Sequence, residues 1–163
     1  MNEAHLHLLV NHFPIIGTIF GLGILIAGLI LKNNSVKMVA YSLFIIAALY
    51  TALSMSTGEG AEELVEDMPN IGKQIIHEHE EIAEKFALVL YAMGALSLVS
   101  IYFSIKKNSL LKYSTVVTLL LAVIGVFLAQ KVGASGGEIR HTEIRANSNS
   151  PIGMAETNVE NKD

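Results

Sequence analysis

Four long apolar runs decide what this sequence can fold into. They cover residues 8–31, 38–57, 86–105 and 110–132. A helix needs about 20 predominantly apolar residues to cross the hydrocarbon core of a membrane, and each run is long enough. A chain of 163 residues cannot supply the layers that would bury four such helices in a soluble protein. With 52% apolar and 16% charged residues, the sequence predicts an all-α, four-helix transmembrane bundle.

Two short links between the runs set the expected orientation. Residues 32–37 and 106–112 contain lysines and no acidic residue. By the positive-inside rule both links face the cytoplasm, so the N-terminus, the loop 58–85 and the C-terminus lie on the outer side. All fifteen Asp and Glu and all six His then lie on that side. We therefore expect a multi-pass protein of the bacterial plasma (inner) membrane, with its functional face periplasmic or extracytoplasmic.

Residue types exclude several function classes. Cysteine is absent, so neither a disulfide nor a thiolate metal ligand is available. An acidic outer side argues against nucleic-acid binding. The sequence has no Ser-His-Asp pattern and no Gly-rich phosphate loop. The residues before the first run lack the basic segment of a signal peptide, so the first helix is expected to be retained.

The first helix has two candidate starts. Asn11 is a good N-cap that would place Pro14 inside the first turn, and an earlier start near His5 fits the sequence as well. Further along, small residues recur at helical spacing and would admit either a second helix or a flat macrocycle close to the backbone. This stripe consists of Gly17, Gly21, Ala27 and Gly28.

Glycines mark expected breaks in the outer segments. Residues 57–60 predict a sharp exit from the second helix, followed by a short amphipathic helix over 61–68. Glycines at 133–137 predict tight turns that fold His141 back over the helix ends. We expect a membrane domain at 1–146 and a disordered polar tail at 147–163.

The histidines carry the main functional signal. Imidazole is the commonest metal ligand and also holds haem iron axially. The first and third helices each place a histidine at their outer ends, so His12 and His79 are the first predicted ligand pair. No histidine lies near the cytoplasmic face, so any redox role belongs to the outer half of the bundle.

Two chemistries remain open. In the first, haem b lies between helices with iron held by two histidines, which the apolar spans and the small-residue stripe favour. In the second, three or four histidines bind copper, zinc or non-haem iron directly, with carboxylates completing the site. The further candidate ligands for such a site are His5, His77, Glu62 and Glu80.

The segment His7-Leu-Leu-Val-Asn-His12-Phe-Pro-Ile resembles the opening of DUF2231-type bacterial membrane proteins, whose pattern is H-P-x-x-V-H-F-P. Leu8 stands where that family has proline, and Asn11 where it has valine. Residues 57–63, 79–81 and 136–141 are also similar to the group. The resemblance implies a four-span protein with a suspected haem b role. Its candidate ligands in this sequence are His7, His12, His79 and His141.

The resulting functional expectation is a b-type cytochrome-like protein that binds haem near its outer face. His12 and His79 form the first ligand pair, and His7 and His141 form the second. It would pass electrons between quinol in the lipid bilayer and an outer-face redox partner. The alternatives are a His/Glu-ligated metal protein and a non-catalytic accessory subunit whose acidic face docks onto a larger membrane complex.

Overall fold

The predicted all-helical bundle is confirmed in the computed structural model, which describes residues 2–66, 71–141 and 144–145. These residues contain no strand. The helices are α1 (Glu3–Val10), α2 (His12–Ile30), α3 (Asn34–Glu63), α4 (Lys73–Ile105) and α5 (Leu111–Arg140). Because α1 and α2 join into one span, the described chain has four helices long and apolar enough to cross a membrane.

The junction between α1 and α2 is a single interrupted turn. Asn11 keeps a helical backbone, with φ −67° and ψ −21°, and its side chain makes no capping hydrogen bond. Pro14 has no N–H to donate to the Val10 carbonyl, which breaks the helical ladder at this point. The real cap is Asn2, whose side chain accepts a hydrogen bond from the His5 N–H at 2.9 Å. The earlier of the two predicted starts is therefore confirmed. Asn11 does precede α2, with Pro14 in its first turn, but the predicted side-chain cap at Asn11 is absent.

The small-residue stripe of α2 packs against α3. Of the two predicted uses of the stripe, the structure shows the approach of a second helix. A Cβ added at the glycines of α2 would meet side-chain or backbone atoms of α3 at or below van der Waals distance. The contacting pairs are Gly17 with Ala47, Gly21 with Phe44, and Gly28 with Lys37. These close approaches bring the backbones of α2 and α3 together along the whole span.

Large apolar side chains fill the centre of the bundle. The fully buried members include Leu25, Phe44, Leu90 and Met93, which come from α2, α3 and α4. Tyr41 is buried among them, and its hydroxyl lies 2.8 Å from the Thr115 hydroxyl on α5. This hydrogen bond satisfies a polar group that would be costly to leave unpaired inside a membrane.

The helices are longer than a membrane requires. At 1.5 Å per residue, α3, α4 and α5 are each about 45 Å long, against about 30 Å for the hydrocarbon core. The excess lies at the end of the bundle that carries the acidic residues. We call this the histidine end; it comprises residues 2–7, 58–66, 71–85 and 130–141. The opposite lysine end comprises residues 31–37 and 105–112.

Both glycine-rich breaks predicted for the outer segments are wrong. Residues 57–60 continue α3, and residues 133–137 continue α5 as far as Arg140. Each helical glycine costs about 1 kcal/mol relative to alanine, but these glycines give neighbouring elements room. Gly60 lies under the Glu3 side chain, and a Cβ at Gly136 would lie 3.1 Å from the His79 ring.

The segment predicted as a short surface helix over 61–68 has a different form. Its first part, as far as Glu63, belongs to α3, and a turn follows at 64–66. Residues 67 and 68 lie outside the described residues. The predicted domain boundary at 146 and the polar tail at 147–163 also lie outside them.

The two turns of the lysine end share one backbone geometry. Lys32 and Lys107 follow the ends of α2 and α4 with φ of 49° and 50°. In each turn the lysine N–H bonds the carbonyl three residues back, and the next N–H bonds the carbonyl five residues back. This is a Schellman motif, in which glycine usually takes the left-handed position. A residue with a Cβ costs about 1–2 kcal/mol more there.

Candidate functional site

His7 projects from α1 onto α3. Its ring is half-buried, and Nδ1 lies 3.0 Å from the Ser54 carbonyl oxygen and 3.2 Å from the Thr57 hydroxyl. A carbonyl only accepts hydrogen bonds, so Nδ1 carries the hydrogen. The Thr57 hydroxyl donates its own hydrogen back to α3, which leaves it as an acceptor too. In the neutral ring the free lone pair is therefore on Nε2.

His79 is held in the same way between α4 and α5. Its Nδ1 lies 2.9 Å from the Ser135 hydroxyl, and that hydroxyl donates to the Val132 carbonyl at 3.2 Å. In the tautomer that carries its hydrogen on Nδ1, His79 donates to Ser135 and keeps its lone pair on Nε2. Gly136 follows Ser135, and any side chain there would press on the ring.

The two imidazoles influence each other electrostatically. Both stand beyond the apolar runs, at the histidine end. Burial lowers the pKa of His79, and the neighbouring His7 lowers it further. Burial also lowers the pKa of His7, partly offset by its hydrogen bond to the Ser54 carbonyl. Both shifts lower the pKa from the usual histidine value near 6.5, so they favour the neutral form of each ring at pH 7.

The other predicted histidine ligands do not join this pair. His12 is exposed, and its Nδ1 lies 3.2 Å from the Leu8 carbonyl of its own helical span. His141 is exposed at the C-cap of α5, about 9 Å along the helix axis beyond Ser135. His5 is exposed as well. Among the predicted ligands, the histidine whose charge affects the pKa of His79 is His7.

A separate cluster forms on the histidine end around two carboxyl groups. Burial raises the pKa of Glu80, and a hydrogen bond to Glu62 together with the charge of Glu62 raises it further. His77 lies 4.0 Å from Glu80 and 3.5 Å from Glu81.

The donor set at the histidine pair consists of two imidazoles. Across residues 2–66, 71–141 and 144–145, no three His, Asp or Glu side chains are grouped so that they could hold a metal ion. One more buried polar atom belongs to a residue four positions after His7 in the sequence. The Asn11 side-chain oxygen has no hydrogen-bond partner within the described chain, and Asn11 shares a helix face with His7.

No family model, curated protein or solved structure matches this chain.

Proposed function

We propose that this is a membrane b-type cytochrome-like protein that holds haem b axially through His7 and His79 for electron transfer. The observation that supports it most is the matched state of the two rings. Each ring is half-buried and is held by a hydrogen bond at Nδ1, and in the tautomer with its hydrogen on Nδ1 each keeps the Nε2 lone pair for a metal. Histidine ligands in proteins are normally fixed in this way by a hydrogen bond at the other nitrogen.

The number of donors favours haem over a directly bound ion. Porphyrin supplies four nitrogens, so its iron needs only two axial ligands from the protein. Zinc and non-haem iron need three or four protein or water ligands in a fixed geometry, with at least three usually from the protein. Within the described residues no group of three His, Asp or Glu side chains is placed to hold an ion directly.

In this proposal the chain's own residues position the ligands and handle protons. The Ser54 carbonyl and the Ser135 hydroxyl fix the rotation of the two rings, and Gly136 leaves room beside His79. When bound, haem supplies one-electron chemistry. Next to Glu62 the pKa of Glu80 is raised, on the same end of the bundle where quinol oxidation would release protons.

The proposed cellular setting follows from charge. The lysine end would face the cytoplasm of a bacterial plasma membrane, and the histidine end would face outward. Quinol would arrive through the bilayer, and a redox partner would dock on the outer face. The resemblance of the His7–His12 segment to DUF2231-type proteins agrees with this setting and forms part of the proposal.

The test is the absorption spectrum of protein purified from haem-replete cells, together with haem and metal quantification. We expect a Soret band and reduced α-band absorption, with haem in stoichiometric amount. A colourless protein with stoichiometric copper, zinc or iron would replace this proposal with the direct-metal alternative. A colourless, metal-free protein would favour the accessory subunit.

A further inference from the structure

We infer that the lysine end binds the phosphate groups of anionic phospholipids through Lys32 and Lys107. This inference is independent of haem binding. It starts from the charge of that end, where residues 4–58 and 86–137 of the sequence contain no Asp or Glu. The lysine end carries five lysines: Lys32, Lys37, Lys106, Lys107 and Lys112.

The protein does not neutralise this charge within its described residues. The salt bridges found there involve Lys73, His77 and Lys85, all at the histidine end. Lys32 and Lys107 are exposed. A concentrated positive charge at the membrane surface attracts the anionic headgroups of lipids such as phosphatidylglycerol.

Backbone geometry singles out two of the five lysines. Lys32 and Lys107 occupy the left-handed position of matching Schellman turns, where a glycine would fit without strain. Backbone strain of this kind concentrates at functional positions. Two lysines at equivalent strained positions indicate that the ammonium group, and not the backbone, is what these turns require.

The two turns also lie side by side. The Asn34 side-chain amide, two residues after Lys32, donates a hydrogen bond to the Ser104 hydroxyl. The Ser104 carbonyl accepts the N–H of Lys107. One hydrogen-bonded connection therefore joins the two lysine turns, and we place the two ammonium groups on one patch that a lipid phosphate can reach. Lysine binds phosphate as a compact point charge with three donors.

The test is the double variant Lys32→Gly/Lys107→Gly, because glycine keeps the turn geometry while removing both charges. Lys32→Asn/Lys107→Asn serves as a second variant, since asparagine also tolerates this conformation. The matched control is Lys106→Gln/Lys112→Gln, which removes the same charge from the same end. The readouts are the melting temperature in phosphatidylcholine with and without added phosphatidylglycerol, and bound lipid by native mass spectrometry.

We expect phosphatidylglycerol to raise the melting temperature of the unmodified protein by about 2–4 °C, as a bound ligand should. Both turn variants should lose most of this shift, and the control should keep most of it. The inference is overturned if the turn variants keep the shift, or if the control loses as much. It is also overturned if the melting temperature of the turn variants falls as much in phosphatidylcholine alone as in the presence of phosphatidylglycerol. That result would mean that the lysines only offset helix dipoles. An equal shift with inorganic phosphate would show that lipid is not the ligand.

Discussion

Replacing either His7 or His79 by alanine is expected to abolish stoichiometric haem binding, while His12→Ala leaves it unchanged. Each of the first two variants removes one of the two proposed imidazole ligands, whereas His12 is exposed and bonded to a carbonyl of its own helical span. The measurement is the ratio of Soret absorbance to protein after purification. Insertion of all three variants into membranes, and their elution profiles in size-exclusion chromatography, control for misfolding.

Ser135→Ala is expected to weaken haem binding only in part. Ser135 only orients His79 through its hydroxyl, so we expect haem affinity to fall by about 10–100-fold without complete loss. If His12→Ala removes haem and His7→Ala does not, the ligand pair is the one that the sequence suggested. If all four variants assemble and function like the unmodified protein, the chain is an accessory subunit.

Gly28→Ala is expected to give the largest loss of stability among single methyl additions to α2. The new Cβ would lie 2.9 Å from the Lys37 backbone nitrogen and 3.3 Å from its Cα. Backbone atoms cannot move aside as a flexible side chain does, so α2 and α3 must separate. Overpacking of this kind costs about 1–3 kcal/mol. Thermal unfolding followed by circular dichroism in one detergent measures the change.

Gly23→Ala is the matched control for that prediction. Gly23 lies on the same helix, is exposed, and has no atom within 4 Å of where its Cβ would lie. Alanine there should leave the protein as stable or raise its stability by up to about 1 kcal/mol, because alanine favours the helix. Equal destabilisation by both substitutions would contradict the close α2–α3 packing.

The four spans were predictable because hydrophobic length is a strong signal that does not depend on tertiary contacts. The helix ends outside the apolar runs were not predictable in this way. Outside the apolar runs, local propensity suggested breaks at the glycines of 57–60 and 133–137, and packing overrode it. In α3 and α5, Glu3 and the His79 ring occupy the space that side chains at positions 60 and 136 would fill. Nothing in the local sequence reports such a neighbour.

The spacing of inward-facing positions in the first span distinguishes His7 from His12, and the prediction did not use it. Buried positions of the first span recur at Val10, Pro14, Thr18 and Gly21. Extending this three- and four-residue spacing backward reaches His7, whereas His12 lies about 140° around the helix from His7. The Asn2 cap carries the helix back far enough for His7 to use that inward face. The approach of His79 to His7 depends on how α4 packs, which the sequence alone does not reveal.

The central claim is that the side chains of residues 7 and 79 share one site between the helices. The chain has no cysteine, so paired substitutions can be cross-linked without background. A short bifunctional thiol reagent should join His7→Cys/His79→Cys in membranes, while His12→Cys/His79→Cys should remain unlinked. Efficient cross-linking of the 12–79 pair, with none for the 7–79 pair, would contradict the claim.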